Sequence, residues 1–200
     1  MASIAAATEI LQDGICDNPL EYYEVIQRNV TLLNNLTQEL KLSIPKIPIN
    51  LQIIDVKTWA QDLIKEVRME APQAAIYTKL TNSTINGDLI QLNRALKNIL
   101  ANSYRFSRNV LVLKFFEETG NLKIQIKNDG AQITKKKLPL VFERFYSQNC
   151  DNSDGHLGLG LYVAKQIIKV MDGEITAKLT GEIICFEISL PIIMKPNEKK

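Results

Sequence analysis

Polar side chains at four-residue spacing interrupt a stretch that otherwise resembles an amphipathic helix, from about Asp88 to Phe106. Arg94, Asn98 and Asn102 share one face of this predicted helix, because residues four apart are neighbours on its surface. Asparagine is a poor helix former, so two on one stripe suggest a task. A carboxamide oxygen can ligate Mg²⁺, which commonly bridges protein and phosphates. A solvated polar face is the other interpretation, and the spacing alone leaves both open.

A glycine-rich loop, residues 154–161, has the sequence Asp-Gly-His-Leu-Gly-Leu-Gly-Leu and leads into a helix predicted from about Leu159 to Met171. Glycines let the backbone adopt positive φ and approach a ligand closely. The N–H groups at a helix start favour anions. A flexible surface loop is the alternative, but leucines that alternate with the glycines favour an ordered loop. The pattern therefore indicates phosphate binding.

A third candidate follows a strand of alternating residues, 122–127, and has the sequence Asn128-Asp129-Gly130. A polar side chain at a strand end, beside a glycine, can contact the edge of a base while the backbone stays clear of the ring. The same three residues are also an ordinary turn signal, so this segment is weak when taken alone.

The composition is that of a globular protein: 200 residues, 46% hydrophobic and 23% charged. It excludes collagen-like, coiled-coil-only and wholly disordered chains. A net charge of +2 is too neutral for a protein whose main partner is nucleic acid. No apolar run approaches the roughly 18 residues of a membrane span, and no signal peptide is visible. Three widely spaced cysteines, Cys16, Cys150 and Cys185, favour reduced thiols in the cytosol.

Residues 1–45 are predicted to form a helical hairpin. A first helix covers about residues 4–11, and a second begins after Asn18 as cap with Pro19 at its first position. The second helix has apolar residues at heptad-like spacing: Tyr23, Ile26, Val30, Leu33, Leu36 and Leu40. Since a lone hairpin cannot bury both stripes, we expect pairing with a second copy. Packing on the core of the same chain is the alternative.

Residues 46–194 alternate strands and helices, and 195–200 form a tail. We expect strands at 51–54, 75–79, 110–116, 122–127, 174–178 and 183–190, with helices at 55–70, 88–106 and 159–171. The strand at 75–79 is predicted to pair as a hairpin with one near Thr84, and Pro191 to end the last strand. Alternating strands imply one covered face, so the fold class is α+β, a two-layer α/β sandwich.

Four segments in this order resemble the motifs of sensor histidine kinases of two-component systems. Residues 92–107 are similar to the asparagine box, 128–133 to the first glycine box, 141–146 to the phenylalanine box and 155–161 to the second glycine box. The resemblance covers nearly the whole chain. It implies the Bergerat-type ATP-binding fold shared with gyrases, mismatch-repair ATPases and heat-shock chaperones, preceded by part of a dimerisation hairpin.

The resemblance implies ATP and Mg²⁺ as ligands. Asn102 would be the Mg²⁺ ligand, with Asn98 as its companion. Arg105 would face the phosphates, and Phe106 would line the nucleotide pocket. The remaining implied nucleotide-binding residues are Asn128, Gly130, Ile133, His156, Leu157, Gly158, Leu159, Gly160 and Leu161. Asn128 would accept from the adenine amino group, Gly130 would leave room for the base, and residues 134–157 would form a lid over ATP.

The first glycine box departs from the family pattern, which is near Asp-x-Gly-x-Gly. Here Asn128 replaces the aspartate and Gln132 the second glycine. An amide oxygen still accepts a hydrogen bond, but without a charge, so we expect weakened adenine recognition. Asp129 is the less suitable reader, because its spacing to Gly130 is one residue short.

The family's phosphoacceptor histidine has no counterpart, since the only histidine is His156 in the glycine loop. We therefore expect a cytoplasmic kinase fragment from downstream of that histidine, with no catalytic side chain of its own and no self-labelling. Its parent protein would be membrane-associated and dimeric, with a response regulator as partner, whereas the fragment would be a monomer or weak dimer. A degenerate, non-catalytic dimeric scaffold is the alternative. An ATP-driven clamp of the gyrase type is disfavoured by the phenylalanine box.

Overall fold

The computed structural model describes residues 2–13, 18–43, 49–130, 133–146 and 158–193. These residues belong to two compact units. One contains the N-terminal helices, and the other contains the described residues from 49 onward. His156 and Leu157, with the loop that precedes them, lie outside the described residues.

The N-terminal unit is a pair of contacting helices, α1 (Ala2–Gln12) and α2 (Pro19–Ser43). α2 begins at Pro19, as predicted, because a proline at the first helical position loses no helical hydrogen bond. Tyr23 and Val30 of the predicted apolar stripe are 61% and 44% exposed. The side chains of the rest of α2, residues 32–43, lie outside the described ones, and they include Leu33, Leu36 and Leu40 of the predicted stripe.

The second unit is a seven-stranded sheet with helices on one face. Its elements are, in chain order, β1 (Gln52–Asp55), α3 (Val56–Glu70), β2 (Ala75–Lys79), β3 (Thr84–Gly87), α4 (Leu89–Phe106), β4 (Leu111–Glu118), β5 (Asn121–Asn128), a short 3₁₀ helix (Leu138–Phe142), α5 (Gly160–Val170), β6 (Glu174–Thr180) and β7 (Ile183–Ile193). The strand order is β1-β3-β7-β5-β4-β2, and β6 also pairs with β7. Among the strands of the described residues, only β2 and β4 pair in parallel.

The predicted hairpin between β2 and β3 is wrong. β2 pairs with β4 at one edge of the sheet, whereas β3 pairs with β1 and β7 near the opposite edge. The connection between them is held by Glu117 at the end of β4. The Glu117 carboxylate accepts from the backbone N–H and hydroxyl of Thr81 at 2.8 and 2.6 Å, and from the Ser83 hydroxyl at 2.8 Å. These bonds hold the segment between β2 and β3 as a connection that crosses from one part of the sheet to another, and not as the tight turn of a hairpin.

Pro191 does not end the last strand, which continues to Ile193. β6 pairs with β7 as far as Ser189, and β3 pairs with it from Ile192, so Pro191 lies in the gap between these partners. Ile192 donates its N–H to Gly120, on the β5 side. Because successive N–H groups of a strand point to opposite sides, the missing donor of Pro191 faces the gap, where no acceptor needs it.

The predicted two-layer sandwich is confirmed by the burial pattern of the central strands. Alternate residues of β5 are buried, beginning at Leu122 and ending at Asn128. They face the apolar sides of α4 and α5, where Leu96, Ile99 and Ile167 are fully buried. Burying each such side chain stabilises the fold by roughly 1.5–3 kcal/mol. This core holds α4 and the end of β5 against each other.

Candidate nucleotide-binding site

Helix α4 separates its polar and apolar residues as predicted. Its N-cap, Asp88, accepts from the N–H groups of Ile90 and Gln91 at 2.9 and 3.0 Å and thereby fixes the start of the helix. Burial raises the pKa of Asp88, but these bonds and one from Asn50 outweigh it, so the pKa lies below its usual value. From this start, the apolar face of α4 is buried in the core, while its polar stripe stays partly accessible.

The polar stripe of α4 lies beside the start of α5. Arg94, Asn98 and Asn102 are half-buried along one side of α4. A Cβ built on Gly160, the first residue of α5, would lie 3.6 Å from Cγ and 3.8 Å from Oδ1 of Asn98. The carboxamide of Asn98, the predicted companion of Asn102, is therefore next to the helix start predicted to serve phosphates.

The two glycines before and at the start of α5 have different structural reasons. Gly158 has φ +67°, and a side chain there would overlap the carbonyl of Tyr146, so only glycine fits. A Cβ added to Gly160 would meet its neighbours only at ordinary van der Waals distances, so this position accommodates a side chain. Leu159 is buried in between and anchors the loop in the core. Its side chain makes no capping hydrogen bond to α5.

Asn128 ends β5 with its side chain fully buried on the helix-covered face. Its Nδ2 donates to the backbone carbonyl of Asp129 at 3.0 Å. Its Oδ1 is buried with no hydrogen-bond partner among the described residues. A buried acceptor without a donor is costly, about 1–3 kcal/mol, unless a ligand supplies one. The exocyclic amine of adenine is a donor of the required type, so the residue fits the ligand that the resemblance implies.

Asp129 has a different task, because its carboxylate is already fully engaged. It accepts from the backbone N–H groups of Arg108, Asn109 and Val110 at 2.8, 3.0 and 3.0 Å. The Val110 bond is the largest cause of a pKa below the usual value for Asp129, with the bonds of Asn109 and Arg108 adding to it. That Asn128, rather than Asp129, contacts the base stays a prediction.

Gly130 follows β5 and packs against the last residue of α4. Its φ is +81°, and a Cβ there would overlap the carbonyl oxygen of Phe106. The Arg105 guanidinium lies 5.3 Å from the Phe106 ring centroid, at the same end of α4. The structure thus gives Gly130 a packing reason, and the expectation that it leaves room for a base stays a prediction. Ile133 is buried in the core, and the partly buried Leu161 packs against the same core.

Contacts that sequence reasoning missed fasten residues 138–146 to α5. Arg144 donates to the Tyr162 hydroxyl at 2.6 Å, and Lys165 Nζ lies 5.7 Å from the Phe142 ring centroid. Phe142 is buried and meets Phe186 edge to face at 6.2 Å. Phe145, in contrast, is 59% exposed. The sequence shows basic residues at positions 144 and 165, but their partners could not be predicted from it because they are distant along the chain.

The donor set suits Mg²⁺ only together with phosphates. Within the described ranges, three or more histidine, cysteine, aspartate or glutamate residues do not come together in a cluster that could hold a metal. A carboxamide such as that of Asn102 supplies one neutral oxygen, and Mg²⁺ commonly completes its shell with water and substrate phosphates. A shallow cavity of about 320 Å³ on the sheet's other side, lined by Tyr77, Lys114 and Phe116 among others, contains none of the predicted site residues.

Comparison with protein families decides the assignment. Residues 87–193 match the model of the histidine kinase-, DNA gyrase B-, and HSP90-like ATPases. The chain belongs to this family. The matched range begins at the end of β3 and includes α4, the end of β5 and α5, which carry the candidate site.

Individual relatives of this chain are sensor kinases. Sensor protein kinase WalK of Staphylococcus aureus is 27% identical over 177 residues, which cover 84% of this chain and 43% of that protein. For WalK of strain JH9 the match covers 29% of the relative. The chain thus spans less than half the length of these relatives. The resemblance to sensor histidine kinases is confirmed.

Solved histidine kinases share the fold. The Acinetobacter baumannii histidine kinase AdeS matches with a TM-score of 0.73 at 20% identity, over 94% of this chain and 92% of that one. The mycobacterial sensor histidine kinase MprB matches with a TM-score of 0.60 at 21% identity, over 73% and 100%. Full-length ShkA, in complex with AMPPNP, matches with a TM-score of 0.73 at 16% identity, over 90% and 40%. The expected ATP-binding fold is therefore confirmed.

No helix in the described part of the chain is both long and apolar enough to cross a bilayer. The location of the chain and of its parent protein stays a prediction.

Proposed function

We propose that this chain is the ATP-binding catalytic part of a sensor histidine kinase. It binds Mg-ATP beside α4 and α5 and donates the γ-phosphoryl group to a histidine, from which the group passes to a response regulator. The observation that carries the proposal is the closeness of the Asn98 carboxamide to Gly160, where an added Cβ would lie 3.6 Å from Asn98 Cγ. It brings a carboxamide stripe and a helix start together, as a Mg-triphosphate requires.

The proposed roles follow the positions of the side chains. Asn102 would offer a carboxamide oxygen to Mg²⁺, which neutralises phosphate charge when bound. The start of α5 supports the phosphates through its N–H groups, and Arg105 adds a positive charge at the end of α4. Phe106 and Asn128 contact the base. Phosphoryl transfer depends mainly on such positioning and charge neutralisation, so the site needs no nucleophile of its own.

The acceptor histidine is the component that this site does not supply. His156 is the only histidine of the 200 residues, and it belongs to the glycine loop. We therefore infer that the acceptor is provided by another segment or chain, and that incubation with ATP leaves no stable phosphate on this chain. Stable phosphohistidine at His156 would contradict this inference.

The helical unit supports a second part of the proposal, association with another copy. Tyr23 and Val30, seven residues apart on α2, are both well exposed. Apolar side chains at this spacing fit a helical bundle interface. We expect a monomer or weak dimer by light scattering at micromolar concentration. A tight dimer would show that the interface of α1 and α2 is larger than proposed.

Calorimetric titration with ATP, once with Mg²⁺ and once with EDTA, tests the nucleotide site. We expect Mg²⁺-dependent binding in the micromolar to low-millimolar range, about −8 to −4 kcal/mol. The Asn102→Ala variant should lose roughly tenfold in affinity with Mg²⁺ and little with EDTA. Lys97→Ala is the matched control, because Lys97 lies on another face of α4 and pairs with Glu66 at 3.1 Å. Wild-type protein that binds in neither buffer would favour the non-catalytic scaffold.

A further inference from the structure

We propose that Asp129 is a positioning residue that fixes the amide orientation of Asn128. Through it the site selects purine nucleotides with a 6-amino group over those with a 6-oxo group. The proposal rests on the proposed nucleotide site and deepens it, by assigning base selection to a residue that does not itself touch the base.

The need for a positioning residue arises from the chemistry of asparagine. A carboxylate presents acceptors on both oxygens, whereas a carboxamide has one acceptor and one donor edge. Asn128 could therefore present either edge to a ligand if its amide turned. In the structure its Nδ2 donates to the Asp129 carbonyl at 3.0 Å, and its Oδ1 is buried without a hydrogen-bond partner among the described residues. Reversal would place Oδ1 against that carbonyl, so the carbonyl selects the orientation.

The Asp129 carbonyl can do this because its residue is anchored at several points. The carboxylate accepts three backbone N–H groups of residues 108–110. The N–H of Asp129 donates to the Val110 carbonyl at 3.2 Å. The following residue, Gly130, lies against the Phe106 carbonyl. Side chain, amide and next residue are thus anchored to the end of α4, and the carbonyl between them has little freedom.

The buried Oδ1 sets the ligand preference. A 6-amino group donates to it, and a purine with hydrogen at position 6 leaves it unpaired. A 6-oxo group places a second acceptor against it where water is excluded. An unpaired buried acceptor typically costs a factor of roughly ten in affinity. We therefore expect affinity to fall from ATP to purine riboside triphosphate and again to inosine triphosphate.

A double-mutant cycle on the full chain tests the proposal by calorimetry with these three nucleotides. In wild-type protein we expect an ATP preference over inosine triphosphate of roughly tenfold or more. Asp129→Ala should reduce this ratio several-fold, because the amide is free to turn. In an Asn128→Asp background the same Asp129→Ala change should leave the ratio intact, since a carboxylate has no donor edge to present. Asp129→Asn, which keeps an oxygen for the 108–110 amides, should retain most of the wild-type ratio.

Two results would overturn the proposal. One is equal wild-type affinity for ATP and inosine triphosphate. The other is an Asp129→Ala variant that weakens both nucleotides equally in both backgrounds, which is what a merely structural role predicts. If wild-type protein bound none of the three nucleotides, the proposed function itself would fail, and this outcome is distinct from loss of selectivity.

Discussion

Two short segments, 128–130 after β5 and 158–160 before α5, each contain a glycine held against a backbone carbonyl. Gly130 has φ +81° and faces the Phe106 carbonyl, while Gly158 has φ +67° and faces that of Tyr146. The first segment is clamped by the Asp129 carboxylate, which binds three backbone N–H groups. The second has no side-chain cap at Leu159.

This difference matches the chemistry proposed for each segment. A base is recognised by one donor or acceptor in a fixed place, so the segment after β5 gains from being clamped. A triphosphate is recognised by N–H groups, so a capping side chain at the start of α5 would compete with it. Packing explains the two glycines, because a Cβ added at either position would overlap a backbone carbonyl. The features that point to a ligand are Asn128, Asn98 and the uncapped start of α5.

Gly158→Ala should have the largest effect, because it combines backbone strain with overlap of the Tyr146 carbonyl. We expect a loss of about 3 kcal/mol in the free energy of unfolding, measured by urea denaturation. Gly181→Ala is the control for strain alone: its φ is +60° but a Cβ there meets nothing within 4 Å, so about 1 kcal/mol is expected. Equal losses in the two variants would contradict the packing argument.

Asp129→Asn should change how the free energy of unfolding depends on pH, because it removes the carboxylate that binds the N–H groups of residues 108–110. The folded-state pKa of Asp129 is lowered, chiefly by the Val110 N–H, so the carboxylate stabilises the fold above its unfolded pKa near about 4. This stabilisation is lost as the pH falls through the lower folded-state pKa. The difference in unfolding free energy between wild type and variant should be constant from pH 7 to about pH 5 and close below about pH 4. A difference that grew on acidification would exclude the clamp.

Tyr162→Phe should have the smallest effect. It removes the hydroxyl that accepts from Arg144 at 2.6 Å but keeps the ring, whose centroid lies 4.7 Å from the guanidinium carbon. Because this hydrogen bond is exposed, we expect about 0.5 kcal/mol in chemical denaturation. Tyr77→Phe, at an exposed tyrosine on β2, is the matched control with no expected change. A loss above about 1.5 kcal/mol would mean that Arg144 holds the segment before α5 more firmly than this geometry indicates.

Local patterns were sufficient for most elements. The start of α2 at Pro19, the extent of α4 to Phe106 and the alternation of β5 all follow from short-range rules, and the structure shows each of them. The parallel pairing of β2 with β4 could not be predicted, because strand partners are chosen by distant residues. Glu117 is the example: its bonds to Thr81 and Ser83 bridge more than thirty positions.

The candidate site was predictable in its residues but not in their division of labour. Asn98, Asn102 and Asn128 follow from type, spacing and family motif. The sequence could not show that the Asn128 amide is bound by the next residue's carbonyl, since this depends on how Asp129 is anchored to residues 108–110. Nor could it show that Gly130 is required by Phe106, because that contact joins two elements separated by β4 and β5.

Amide NMR of the full chain during titration with Mg-ATP locates the nucleotide site residue by residue. We expect the shift changes to concentrate in three places: the end of α4 from Asn98 to Phe106, residues 128–130, and the first turn of α5. Residues around the cavity at Tyr77 and Lys114, on the other side of the sheet, should remain unchanged. Shifts centred on that cavity, with Asn128 and Gly160 unaffected, would mean that ATP does not bind beside α4 and α5.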